Sequence, residues 1–171
     1  SLDLNADLNE ILSLIKKSWE ASAKTDIPEV RHVEIPVLYG GEFGEDMDRV
    51  SRHTGLNQSE IIQCHEAGSY KVYFTGFSPG FPYIGAMDPS LSTPRLTTPR
   101  KHVPAGTIGI AAEQTGVYPL SSPGGWNLIG RTPIKLFDWH HPTDLQLRMG
   151  DSIKFNSVTK EEFDQLKENV T

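Results

Sequence analysis

The sequence predicts a mainly β domain with peripheral helices, closed as a barrel or packed as a sandwich. From Ser69 onward, short runs of alternating apolar and polar residues recur, each bounded by Gly or Pro. Helical periodicity is confined to the two chain ends and to the stretch after Glu45. The 171 residues are 37% hydrophobic and 22% charged, enough apolar material for one buried core and too much for disorder.

Taken in order, Leu8, Ile11, Leu12, Ile15 and Trp19 share one face of a helix over residues 7–19, with Asp7 and Glu10 placed as a capping box. Thr25 to Pro28 reads as a turn or linker, which sets residues 1–29 apart from a domain over 30–171. Val33, Ile35 and Val37 alternate with polar or proline positions and predict a strand with one buried face. Pro36 cannot donate to a ladder, so that strand is expected at an edge. Gly40-Gly41 ends it, and two helices follow, one around Glu45–His53 and one capped by Asn57 with Glu60 three residues on. Tyr70, Val72 and Phe74 predict a further strand. More are expected over 108–112, 117–120, 127–129, 134–137, 145–147 and 152–155, and Thr159 with Glu162 can cap a last helix.

A formal charge of −6 argues against a nucleic-acid partner, which needs clustered positive charge. No apolar run is long enough to cross a bilayer, so no membrane partner is expected. The N-terminus is acidic and polar, unlike a secretory signal, and lacks an initiator Met, so a fragment cut from a longer protein is expected. Cys64 stands alone, which precludes an internal disulfide and fits the reducing cytoplasm; it reads as a buried inert thiol. The six histidines match no zinc spacing, and no metal is expected.

Function is expected on the Gly/Pro-rich surface between Phe74 and Pro133. Residues 74–85 mix four aromatics with three glycines and two prolines, a composition that fixes ring positions before anything binds. Phe77, Pro79, Phe81, Tyr83 and Trp126 are the candidate contacts; equally, such rings fill cores. Gly76-Phe-Ser-Pro-Gly80 matches a serine-hydrolase elbow only in spacing, because Pro79 follows the serine and has no N–H for an oxyanion. Gly125 to Thr132 imitates a phosphate loop, but Trp126, Leu128 and Ile129 are too bulky to cradle phosphate. Arg95, Arg100 and Arg131 are candidates for binding a carboxylate or phosphate; Lys101 and His102 read as a solvated basic face.

Long motifs then point to a family. PVLYGGEFGED (36–46), HTGL (53–56), FTGFSPGFPYIG (74–85), the two TPR triplets ending at Arg95 and Arg100, VPAGTIGIAAEQTGVYPL (103–120) and SPGGWNLIGRTP (122–133) closely resemble the allophanate hydrolase subunit 1 or KipI family, which includes the PxpB component of 5-oxoprolinase. The resemblance implies a cyclophilin-like β-barrel and places this chain as a member's C-terminal domain. It implies a binding module acting through partners, with no cofactor of its own and ATP used by the complex or by a partner kinase.

Two mechanisms follow from that kinship. In one, the domain clamps a KinA-like sensor histidine kinase and inhibits its autophosphorylation, with Phe77, Phe81, Tyr83 and Trp126 as anchors and Arg100 and Arg131 pairing carboxylates. In the other, it serves with KipA-like subunits A and C in an ATP-dependent 5-oxoprolinase, which converts 5-oxo-L-proline to L-glutamate. There Arg95 or Arg100 would hold the substrate carboxylate, and Gln114, Tyr118 and Asn127 its amide; no nucleophile is named. A carboxyltransferase-type part of a urea carboxylase or allophanate system is the alternative, and a prolyl isomerase rests on barrel likeness alone.

Overall fold

A computed structural model describes residues 8–22 and 29–168. The described residues form nine strands and four α-helices: α1 Leu8–Ser22, β1 His32–Tyr39, α2 Met47–Thr54, α3 Gln58–Ala67, β2 Tyr70–Thr75, β3 Pro82–Gly85, β4 Arg100–Val103, β5 Thr107–Ala111, β6 Gln114–Val117, β7 Ser122–Gly124, β8 Asn127–Arg131, β9 Ser152–Ser157 and α4 Lys160–Glu168. Seven strands close a barrel in the order β1-β8-β5-β6-β3-β2-β9, and β4 and β7 form a separate two-stranded ribbon. The molecule is therefore mainly β with peripheral helices.

β1 runs parallel to β9 and every other neighbouring pair is antiparallel. Pro36 is not on a free edge strand, because the barrel closes on both sides of β1. Its missing N–H is nonetheless harmless. Arg31 and Val37 accept from Ser152 and Val158 of the neighbouring chain segment, so odd-numbered residues face β9 and Pro36 faces away. On that far side β8 pairs β1 only at Leu38 and Tyr39.

Two predicted capping boxes form. Asn57 and Glu60 exchange bonds at the start of α3, as do Thr159 and Glu162 at α4. The expected cap at Asp7 and the turn at 25–28 lie outside the described residues. α1 is a helix as its periodicity requires, but Ile11, Leu12, Ile15 and Trp19 are all exposed.

The strands expected over 134–137 and 145–147 do not form. Residues 132–151 make one long connection instead, in which backbone groups are satisfied by side chains: Asp138 accepts from the His140 N–H and Asp151 from the Arg148 N–H. Leu136, Phe137 and Leu147 are still buried, so their apolar pattern reflects packing rather than pairing. The expected strand over 117–120 lies earlier, as β6, since Pro119 cannot extend a ladder.

Two hydrophobic clusters result. One contains Ile35, Val37, Val72, Ile84, Ile108, Ile110, Ile129 and Phe155 and extends to α2 and α3. The other joins Phe81, Val103, Ala111, Tyr118, Trp126 and Leu128. Gly109 and Gly116 pair directly across β5 and β6. A Cβ on Gly109 would lie 3.1 Å from the Trp126 Cβ, and one on Gly116 3.0 Å from its ring. This glycine pair is the flat seat on which Trp126 rests.

Candidate functional site: an aromatic cleft with one free arginine

The turn between β2 and β3 shapes one wall. The Gly76 N–H donates to the Phe81 carbonyl at 3.0 Å and the Phe81 N–H to the Ser78 carbonyl at 3.0 Å. Closing so short a turn puts Gly80 at φ 73° and, more unusually, Phe77 at φ 69°, a region costly for a residue with a Cβ. The serine of the Gly76–Gly80 run sits within this strand-to-strand turn with its hydroxyl buried and unpartnered, so no hydrolase elbow exists.

Phe81 is the hub of the cleft. Its ring meets Tyr83, Tyr118, Trp126 and Phe77 edge-on, with centroids 5.1, 5.3, 5.6 and 5.7 Å away. Phe81, Tyr118 and Trp126 are buried, while Phe77 is 69% exposed at the mouth. These rings line a cavity of about 310 Å³ together with Arg95, Pro99 and Pro123 to Gly125.

Arg95 supplies the charge. Its guanidinium carbon lies 5.6 Å from the Trp126 ring centroid, and it has no hydrogen bond or ion pair among the described residues. Its loop is held by the Leu96 N–H donating to Gly125 O at 2.8 Å. Asn127 pins the same loop from below, donating to Pro94 O and Ile110 O at 3.1 Å each and accepting from Arg49 at 3.0 Å. The Tyr118 hydroxyl stays protonated: burial raises its pKa, against opposing pulls from the Trp126 backbone N–H, Arg95 and Arg100. A Cβ on Gly124 would come within 2.2 Å of that hydroxyl, so glycine is needed there.

Of the residues expected to work together, Phe77, Phe81, Tyr83, Arg95, Tyr118 and Trp126 converge on this one cleft. The others do not. Arg100 is committed to Asp46 at 2.8 Å and Glu45 at 3.6 Å, and Asp46 also accepts from the Leu128 N–H at 2.7 Å. Asn127 is fully buried with its amide saturated, so it supports the site rather than meeting a ligand. Arg131 lies at the far end of β8 over the Phe43 ring. Gln114 opens β6 opposite Ala111, outside the lining. Pro79 faces a separate shallow hollow on the outer side of its turn. Asp46 and Arg49 hold this architecture; Asp46 closes the PVLYGGEFGED run, but nothing in the sequence marks it or Arg49 as site-supporting residues. Among the described residues no three metal-ligating side chains converge.

The carboxyltransferase domain, subdomain C and D, family model matches residues 2–146. The chain belongs to this family. Within it, the 5-oxoprolinase B-type subunit of Bacillus subtilis (strain 168) is 44% identical over 162 residues, covering 95% of this chain and 65% of that protein. Its counterpart of the same name in Escherichia coli O157:H7 is 46% identical over 146 residues, covering 85% of this chain and 66% of that protein. A conserved uncharacterised protein of Pyrococcus horikoshii, with 42% identity, superposes with a TM-score of 0.74 over 94% of this chain and 73% of its own. This carboxyltransferase-family chain thus spans just under two thirds of the length of the two bacterial proteins. Among the described residues no helix is long and apolar enough to cross a membrane.

Proposed function

We propose that this chain is the substrate-holding part of the B component in an ATP-dependent 5-oxoprolinase, working with subunits A and C to open 5-oxo-L-proline to L-glutamate. The relatives that carry that component's name supply the reaction. The observation that carries the site is Arg95, an unpaired cation over Trp126 in a ring-lined cleft. A small lactam acid presents a carboxylate and a flat five-membered ring, and the cleft offers a match to each. Arg95 takes the carboxylate through two N–H groups. Trp126 and Tyr83 offer apolar faces to the ring. The protonated Tyr118 hydroxyl is available as a donor to the lactam carbonyl. No activated nucleophile lines the cleft, so the steps using ATP and water fall to the partner subunits.

The test is turnover by the reconstituted three-component assembly with Arg95→Ala and Arg95→Lys in this chain. Loss of the paired bonds predicts a KM for 5-oxoproline raised ~10-fold or more. Unchanged KM in both variants excludes the cleft as the substrate site.

A second reading, a clamp on a KinA-like sensor histidine kinase, draws on Phe77 and Phe74, which are 69% and 49% exposed beside the same cleft. Under that reading Phe77→Ala relieves inhibition of kinase autophosphorylation and leaves 5-oxoproline turnover intact.

A further inference from the structure

A second hollow, of about 290 Å³, lies at the other end of β8 from Trp126. Its walls are mostly apolar, with Phe43, Pro119, Pro133 and Phe163 among them, and Arg131, Lys135 and Lys167 provide charge. Phe43 and Phe163 stack with centroids 5.2 Å apart and planes at 30°. The Arg131 guanidinium carbon stands 4.5 Å from the Phe43 centroid.

Arg131 is short of acceptors. Its Nε is shut off from solvent without a partner, and neither terminal nitrogen has a hydrogen bond or ion pair among the described residues. The two terminal nitrogens are not shut off in this way, so they are the donors that an acceptor in the hollow can reach, and a charge-assisted pair of bonds to them is the strong kind. The Phe43 ring offers a π-face but no lone pair. Burial already lowers the Arg131 pKa, and Glu42 and Glu45 act on it only at longer range.

We propose that this hollow binds a small organic monoanion, with a carboxylate on the Arg131 edge and a flat apolar body against Phe43 and Phe163. The charge balance decides the class. Lys135 is paired with Asp138 at 2.9 Å and the third cation of the lining, Lys167, is not free either, so Arg131 is left to take the ligand's charge, and a single carboxylate with an apolar body suits it better than a dianion such as phosphate. The apolar walls favour a ring-bearing acid over acetate. The site is separate from the aromatic cleft and does not depend on the 5-oxoprolinase reading.

Benzoate serves as the probe, titrated into the isotope-labelled chain and followed by NMR, with benzamide, acetate and inorganic phosphate as comparisons. Saturable shifts are expected at Phe43, Gly106 and Ile134, with benzamide and acetate each about tenfold weaker. Arg131→Gln should abolish the shifts, Arg131→Lys should weaken them, and Arg95→Ala should leave them unchanged. Should Arg131→Gln fail to fold, the Lys variant still separates fork from charge. No saturable shift with benzoate, equal binding of benzamide, or tighter binding of phosphate would each overturn the proposal.

Discussion

The Tyr39 hydroxyl lies 2.7 Å from Nδ1 of His65, deep between β1 and α3. On the ring's other side, Nε2 is 2.9 Å from the Thr115 hydroxyl, which donates onward to Gly109 O at 3.2 Å. That onward bond fixes the order of protons. Thr115 must accept from Nε2–H, so Nδ1 is bare and accepts from Tyr39. The chain is complete with a neutral imidazole and has no place for a second ring proton. Burial pushes the His65 pKa down to about 3 and raises that of Tyr39 well above its usual value.

Stability should therefore fall with acid in a definite window. An unfolded histidine takes up its proton near pH 6.5, whereas the folded one resists until about pH 3. The unfolded state binds more protons between these values, so His65 costs nothing above pH 6.5 and destabilises progressively below it, by on the order of 5 kcal/mol at the acid limit. Urea midpoints from pH 7 to pH 4 check this. A His65→Gln variant, which keeps a donor and an acceptor but cannot titrate, should show a flatter profile. An equally steep profile in that variant would assign the acid sensitivity to other groups.

Arg95 and Arg100 close identical Thr-Pro-Arg triplets, yet they should fail differently when truncated. Arg100→Ala strands Asp46, whose side chain is only 8% exposed, and should cost about 2–4 kcal/mol in chemical denaturation. Arg95→Ala removes only the cation–π contact with Trp126 and should change stability by no more than about 1 kcal/mol. If Arg95→Ala proves as destabilising as Arg100→Ala, Arg95 is a structural residue and the cleft has no free charge.

That contrast shows what the sequence could disclose. The ring set around Phe81 was legible because glycine and proline at fixed offsets leave aromatic side chains few directions. The difference between Arg95 and Arg100 was not, since it is set by Asp46, which lies 54 residues from Arg100. β3, β4 and β7 were missed because they are three or four residues long and carry proline or glycine or lie beside them. Over 134–137, by contrast, alternation that looked like a strand proved to be a buried connection. In α1, amphipathicity disclosed an apolar stripe but not what would cover it.

Phe77 holds its position at the expense of backbone strain, and that sets function against stability. At φ 69° a glycine would sit without penalty, and the exposed Phe77 ring contributes little core packing. Phe77→Gly should raise stability by up to about 1 kcal/mol, while weakening whatever closes over the cleft mouth. Thermal denaturation measured alongside ligand or partner affinity tests both halves. A stability loss above the scatter would mean that the ring, not the turn, dominates at this site.

Trp126 is held in place by what is missing beneath it. Because Gly109 and Gly116 face each other across β5 and β6, the strand wall is bare where the indole lies. A methyl on Gly116 would stand 3.0 Å from the indole, 3.1 Å from Pro82 O and 3.2 Å from the Phe81 ring, and the backbone oxygen cannot yield as a side chain can. Gly116→Ala should therefore cost about 1–3 kcal/mol by overpacking and tilt Trp126 toward the cleft, narrowing it against Arg95. Trp126 is the buried indole, whereas Trp19 and Trp139 are largely exposed, so the blue edge of the emission reports on it. Its red shift in Gly116→Ala, with cleft affinity reduced and binding in the Arg131 hollow retained, is the expected result. An unchanged spectrum with full affinity would show that the seat tolerates a side chain and that the paired glycines do not set the cleft's depth.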